Sequence, residues 1–217
     1  MWVHCKSYGY HPDHTGLQLP KMQPAIRSER TGSVLSKNII ILNGDPLYTG
    51  KASGLARSFE KGAKEAGHTV TSFYLEGLIF DSYIDEFTDE LVNPNRPSSI
   101  YDDMAKVYPV FKEADVVVLV SPQYYWNISG QLMNAISRLF SVMKNDPDYD
   151  SDPKDFVLLM ASLGDDFDAV QSWYDSLLKH MHAKSLGAVF CGNLVADDKI
   201  QTKPEAQTAY EIGKGIA

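Results

Sequence analysis

From Asn38 onward the chain alternates short apolar runs with longer stretches of helical periodicity, and it does so five times. Asn38–Leu42 is rich in β-branched residues and reads as a strand buried on both faces. Ala52–Ala66 follows with Leu55, Phe59, Ala63 and Ala66 at helical spacing, and Gly67 stands where such a helix should stop. Thr69–Leu75 is a more polar, edge-like strand, Ser98–Ala114 a helix, and Asp115–Val120 a second fully buried strand. Ser129–Met143 carries Leu132, Ile136, Phe140 and Met143 on one helical face. A strand over Phe156–Met160, a helix over Phe167–His182 and a strand over Gly187–Val195 complete the series. Thr202-Lys-Pro-Glu205 has the spacing of a capping box for a last helix toward Ile216.

Strand–helix alternation implies parallel strands joined by crossover helices. Five units suit an open doubly wound sheet rather than an eight-stranded barrel. In such sheets ligands sit beyond the C-terminal strand ends, at the switch point. The loops after Leu42, Val120 and Met160 are therefore the ones to read for function.

Residues 1–36 have no strand or helix period and are broken by Gly9, Pro12, Gly16, Pro20, Pro24 and Gly32. They are expected to form an extended N-terminal arm, with 37–217 as the single domain. The spacing of His4, Cys5, His11 and His14 in the arm matches no metal motif, so no metal is expected. The whole chain is 44% hydrophobic and 22% charged, enough to build a core. Its net charge of −8 disfavours nucleic acid and anionic membranes as partners. No apolar run reaches the roughly 18 residues of a membrane span, and the first residues show no signal-peptide core. Cys5 and Cys191 are too few and too distant for a disulfide framework. A cytoplasmic location is the expectation.

The first loop, Asn43-Gly-Asp-Pro-Leu-Tyr-Thr-Gly-Lys-Ala-Ser53, opens directly into a helix. Exposed N–H groups at a helix start can cradle a phosphate, although a plain strand-to-helix turn would look the same. Gly44 and Gly50-Lys51 imitate a P-loop, but five residues separate the glycines and Ala52 replaces the required hydroxyl. The second loop, Ser121-Pro-Gln-Tyr-Tyr-Trp-Asn-Ile-Ser-Gly-Gln-Leu132, sets three aromatics in a row between strand and helix. They cannot all enter one core. Either they pack locally or on a partner subunit, or they offer stacking surface and backbone donors to a flat ring.

Pro122-Gln-Tyr124, Asn127-Ile-Ser-Gly-Gln-Leu132 and Ile136-Ser-Arg138 resemble the signature of the flavodoxin-like NAD(P)H-dependent FMN reductase family. The first loop resembles that family's phosphate loop, and Met160-Ala-Ser-Leu-Gly164 resembles its third flavin-contacting loop. The likeness runs from about Asn38 to Val195. It implies a five-stranded parallel sheet of order 2-1-3-4-5 in a three-layer αβα sandwich. It also implies FMN as cofactor, NAD(P)H as electron donor, a quinone-like or other small acceptor, and a homodimer with the flavin near the interface. The resemblance places Thr49, Lys51 and Ser53 near the flavin phosphate. It places Pro122, Gln123, Tyr124, Tyr125, Trp126 and Asn127 around the ring, and Ser162, Leu163 and Gly164 at its other edge. No protein acid or base is implied, and His68 and His180 read as surface histidines.

The chain departs from the family at Asp45, where Ser is usual, and at Ala52, where Thr is common. A carboxylate about 4 Å from a phosphate costs roughly 1 kcal/mol in water and about 4 kcal/mol at a partly buried site. Lys51 would have to offset that, or Asp45 would have to point away. Ser137 replaces the Asp that usually precedes Arg138. A subgroup of the family it resembles carries a cysteine-bound iron–sulfur cluster after the second strand. Here that segment, Glu76–Ser98, holds no cysteine, so no cluster is expected, and its acidic stretch Asp81–Glu90 reads as a solvated loop or a lid.

Two further patterns fail. Asp146, Asp148, Asp150 and Asp152 alternate like a calcium loop, but Ser151 and Val157 occupy its glycine and glutamate positions. A phosphoacceptor receiver domain needs an aspartate at the end of the third strand, where Ser121-Pro122 stands. An FMN-dependent NAD(P)H:acceptor oxidoreductase is the leading reading. A flavodoxin-type electron carrier, or a regulatory or interaction protein that has lost its flavin, remains as an alternative on the same fold.

Overall fold

The computed structural model describes residues 36–82, 102–145 and 153–217, with the backbone alone for 140–145. All of the N-terminal arm but Ser36, most of the acidic stretch Asp81–Glu90 and the aspartates from Asp146 to Asp152 lie outside the described residues. Five strands form one parallel sheet: β1 (Asn38–Asn43), β2 (Thr69–Tyr74), β3 (Val116–Pro122), β4 (Asp155–Ala161) and β5 (Ser185–Cys191). Their order is β2-β1-β3-β4-β5, with Ile40 opposite both Thr71 and Val117. This is the flavodoxin-like doubly wound arrangement. Chain order reverses between β1 and β3, so the crevice opens above their C-terminal ends.

The apolar runs form the centre of the sheet because both of their faces are covered. Ile39 and Ile41 point into one core and Ile40 and Leu42 into the other, each at most 2% exposed. Full burial of such side chains is worth about 1.5–3 kcal/mol each. Helices α1 (Lys51–Glu65) and α5 (Pro204–Lys214) cover the first face, and their backbones approach closely where Gly62 faces Tyr210 and Gly213 faces Phe59. A Cβ at either glycine would run into a carbonyl oxygen of the other helix. Helices α2 (Met104–Glu113), α3 (Gly130–Asn145) and α4 (Asp168–His180) cover the second face through Phe111, Leu132 and Tyr174. No residue of β2 is fully buried, with Thr69 and Ser72 exposed and the other four half-buried, as an edge strand can be.

Four local readings need correction. The helix expected over Ser98–Ala114 begins at Met104, because Asp102 turns the chain first and accepts from the Met104 N–H at 3.0 Å. The last strand ends at Cys191 rather than Val195, since Asn193 takes a positive φ of 53°. The capping box at Thr202 does not form: Thr202 Oγ1 donates to the Lys199 carbonyl, and Lys203 precedes a helix that starts at Pro204. Proline fits a first helical position, and its ring holds the preceding residue extended. His68 is buried, not superficial. Its Nδ1 accepts from the Lys37 N–H (3.2 Å) and its Nε2 faces the Ile216 carbonyl (3.0 Å), fastening the start of β1 to the C-terminus. His180 is exposed as expected, with Nδ1 2.8 Å from the Ser176 carbonyl.

Candidate flavin site at the C-terminal end of the sheet

The first loop is built around Asp45. Asn43, at the end of β1, accepts the Asp45 N–H (3.0 Å) and donates from Nδ2 to Ser53 Oγ (2.9 Å). This local Asx geometry turns the chain back so that the Asp45 carboxylate enters the N-terminus of α1. Its Oδ1 accepts from the Leu47 N–H (3.0 Å) and its Oδ2 from the Ser53 N–H (2.9 Å). Asp45 is only 4% exposed, and Gly50 makes room for it, because a Cβ there would collide with the carboxylate. A helix N-terminus carries a partial positive charge and free N–H groups, and here the chain's own anion occupies it.

The other residues expected around a phosphate are disposed accordingly. Ser53 Oγ donates to the Leu47 carbonyl (3.0 Å) while accepting from Asn43, so its hydroxyl is committed. Lys51 reaches away from Asp45: its ammonium donates to the carbonyls of Ala196 (2.9 Å) and Asp198. Ala52 is buried in the core and offers no side-chain donor. Thr49 is exposed.

In the second loop, Tyr124 and Asn127 exchange backbone hydrogen bonds of 2.9 and 3.0 Å, closing a two-residue hairpin with Tyr125 and Trp126 at its tip. Both tip residues take positive φ, 48° and 56°. Turns of this shape favour Asn and Gly, and a bulky side chain in the left-handed region costs about 1–2 kcal/mol. The strain projects the rings outward: Tyr125 is 95% exposed and Trp126 58%. Ser121 anchors the base of the loop, donating to the Pro122 carbonyl (2.6 Å) and accepting from the Ser129 N–H (2.7 Å). Gln123 N–H bonds the Ala161 carbonyl and Ile128 N–H bonds Asn127 Oδ1. Among the described residues, the N–H groups of Tyr125 and Trp126 are the ones in this turn left for a ligand.

The third loop closes the cleft. Gln123 is held at both ends of its amide, accepting from Ser162 Oγ (2.7 Å) and donating to the Asp166 carbonyl (2.7 Å). Ser162 Oγ also accepts the Gly164 N–H at 3.1 Å. Gln123, Tyr124, Tyr125, Trp126, Ser162, Gly164, Asp165 and Asp166 together line a cleft of about 630 Å³, a size that suits a cofactor or drug-sized ligand. Leu163 projects beside it, 81% exposed. The loops are linked to one another, since the Gly44 N–H bonds the Val120 carbonyl (2.8 Å) and Gly44 abuts Ser129 and Leu132. Partial burial, followed by the negative charge of Asp45, pushes the Tyr124 hydroxyl's pKa up, so the two loops share one electrostatic field.

Sequence reasoning missed Asn43, Ser121, Asp165 and Asp166. Asn43 carried a usable signal in its Asx-turn spacing before Gly44-Asp45. The two aspartates join the cleft through the chain's return at Asp166, which no local pattern marks.

A doubly wound α/β sheet whose switch-point loops present stacking aromatics beside a cleft defines a flavodoxin-like protein. The sequence matches the family NADPH-dependent FMN reductase over residues 37–193, and the chain belongs to that family. Comparison with curated protein sequences finds no match. Among solved structures it is similar to an NAD(P)H:quinone oxidoreductase from Methanothermobacter marburgensis, with TM-score 0.62, 16% identity, and coverage of 83% of this chain and 96% of that one. It is also similar to an azoreductase from Bacillus anthracis, with TM-score 0.61, 18% identity, and coverage of 84% and 100%. An FMN-dependent NADH-azoreductase from the same species, solved with FMN, gives TM-score 0.57, 16% identity, and coverage of 81% and 95%.

The site meets the needs of a flavin unevenly. Its ring side offers exposed aromatics, two available N–H groups and a cleft of suitable volume. At the start of α1, where a phosphate would be expected, the buried Asp45 carboxylate takes the Leu47 and Ser53 N–H groups.

Proposed function

We propose that the protein is an FMN-dependent NAD(P)H:acceptor oxidoreductase that holds the isoalloxazine ring between the Tyr124–Asn127 turn and the Ser162–Gly164 loop. The observation that carries this is the strained Tyr125–Trp126 tip. A protein that needed only a turn would use Asn and Gly there, whereas two left-handed aromatics at the mouth of a cleft reward a flat ligand. A flavin bound there supplies the redox chemistry, accepting hydride from a nicotinamide and passing electrons to a small acceptor. The chain's part is to stack the ring, fix its edge through the Tyr125 and Trp126 N–H groups, and leave one face open. Gln123, tied at both ends, keeps the two ring-bordering loops in fixed relation. The structurally similar quinone oxidoreductase and azoreductase support a small, flat acceptor.

The mouth of the site also supports a homodimer. Nine large hydrophobic side chains are exposed among the described residues, and eight of them, all but Leu186, lie on loops at this end of the sheet. Apolar exposure so concentrated marks a surface that something covers. Among the described residues no helix is long and apolar enough to cross a membrane; we place the protein in the cytoplasm.

The test is a visible spectrum of the purified protein with added FMN, before and after NADH or NADPH. Flavin absorption that bleaches with a nicotinamide, in steady turnover with a quinone, is the expected result. A bound flavin indifferent to both nicotinamides would identify an electron carrier, and no binding of any flavin would leave a non-flavin protein on this fold.

A further inference from the structure

We infer that Asp45 removes the flavin's 5′-phosphate from recognition, so that this site selects flavin by its ring and binds the dephosphorylated form, riboflavin, at least as well as FMN. The inference rests on the flavin reading above and concerns only the other end of the same ligand.

A phosphate at the start of α1 needs free N–H groups, hydroxyls or a cation. The Ser53 and Leu47 N–H groups are already bonded to the Asp45 carboxylate at 2.9 and 3.0 Å, and the Gly54 N–H to the Gly50 carbonyl. That leaves the Lys51 and Ala52 N–H groups as first-turn donors, beside a buried like charge. Ser53 Oγ is committed on both sides, to Asn43 Nδ2 and to the Leu47 carbonyl. The Lys51 ammonium is held by the carbonyls of Ala196 and Asp198. Of the three residues expected to hold the phosphate, Thr49 alone keeps its side chain uncommitted.

The carboxylate is built in rather than passing through. Asp45 is 4% exposed, its own N–H is fixed by Asn43, and Gly50 lacks the Cβ that would exclude it. A phosphate dianion entering this helix start would have to expel the carboxylate into water or lie against it with like charge. Both penalties fall on FMN, and neither falls on riboflavin, whose ribityl chain ends in a neutral hydroxyl. Substituting Ser at position 45 removes the charge and frees the Ser53 N–H.

The experiment titrates FMN and riboflavin separately into the full chain, read by quenching of flavin fluorescence. Wild type, Asp45→Ser and Asp45→Asn are compared, with thermal unfolding to confirm that both variants are folded. Wild type is expected to bind riboflavin as tightly as FMN or more tightly. Asp45→Ser should tighten FMN by about tenfold or more, equivalent to about 1.4 kcal/mol, and leave riboflavin within about twofold. FMN bound about tenfold tighter than riboflavin by the wild type overturns the inference and leaves the flavin reading intact. Equal affinities that Asp45→Ser does not change overturn the part assigned to Asp45. If neither flavin binds wild type or variant, the inference and the flavin reading fall together. The comparison of the two ligands on wild type needs no substitution, so a poorly folded variant does not blunt the test.

Discussion

Replacing Tyr125-Trp126 by Asn-Gly is expected to make the protein more stable and to weaken its hold on flavin. Both tip residues occupy the left-handed region, with φ of 48° and 56°. Asn and Gly adopt that conformation with little strain, so relief of about 1–2 kcal/mol per residue is available in principle. Against it stands the greater freedom that Gly restores to the unfolded chain, roughly 0.5–1 kcal/mol. The Tyr125 ring is 95% exposed, so removing it forfeits almost no packing within the described chain. Trp126 is 58% exposed, so its loss forfeits some packing, and the net gain should fall at the low end, about 1–2 kcal/mol. It would be read as a rise in the urea midpoint with an unchanged slope.

Flavin affinity should move the opposite way. Two aromatic surfaces are lost, and each stacked ring contributes about 0.5–1.5 kcal/mol beyond the area it covers. Together they give a weakening of about ten- to a hundredfold. The hairpin itself survives, because the bonds between Tyr124 and Asn127 are backbone bonds. A single-site control, Tyr125→Phe, keeps the ring and the strain and should leave both quantities nearly unchanged. A variant that gained stability and kept its flavin would show that the turn does not face the ring.

The opposite directions of these two effects explain which parts of the molecule were legible from sequence. The sheet was, because the runs Asn38–Leu42, Asp115–Val120 and Phe156–Met160 are apolar on both faces and only a covered parallel sheet accommodates that. The position of the site was also legible, since strand alternation alone places the crevice after β1 and β3. Three adjacent aromatics after β3 made the turn conspicuous, though their positive φ values could not be foreseen from residues that rarely adopt them. The first loop was readable as an anion cradle but not as one already filled. Whether Asp45 turns inward depends on Asn43, on the missing Cβ of Gly50 and on the tethering of Lys51 to residues 196 and 198, a contact across nearly the whole domain. Arg138 is a different case. The family pattern marked it, while its partners are brought to it only by tertiary packing, Asp102 and Tyr108 through α2 on α3 and Asp81 from the segment after β2.

That partnership supports the largest loss of stability expected from a single substitution. The Arg138 side chain is 1% exposed and bonds Asp102 through both terminal nitrogens, at 2.6 and 2.9 Å. It also donates to the Tyr108 hydroxyl (3.1 Å) and the Asp81 carbonyl (2.9 Å). Burial opposes its charge, but the Asp102 and Tyr108 hydrogen bonds outweigh burial and hold the guanidinium pKa above its ordinary value. Arg138→Met fills similar space without charge and strands the other polar groups. Removing one partner of a buried ion pair costs about 3–5 kcal/mol. The Asp102 side chain keeps 19% of its exposure, so some hydration remains and the lower end, about 3 kcal/mol, is expected. Asp102→Asn takes the negative charge from the carboxyl group that the arginine bonds at 2.6 and 2.9 Å and weakens the acceptor of the Met104 N–H, so it too should be costly. The double variant decides between an ion pair and two independent packing defects. If the pair is the unit, Arg138→Met with Asp102→Asn will cost at least about 1.5 kcal/mol less than the sum of the single losses. Strict additivity in denaturant titrations would assign the loss to the shape of the Arg138 cavity instead. Asp81 closely follows β2 and Asp102 leads into α2, so the clamp ties the two ends of the intervening segment to α3. Its weakening should therefore lower global stability without changing the ratio of riboflavin to FMN affinity, which depends on Asp45.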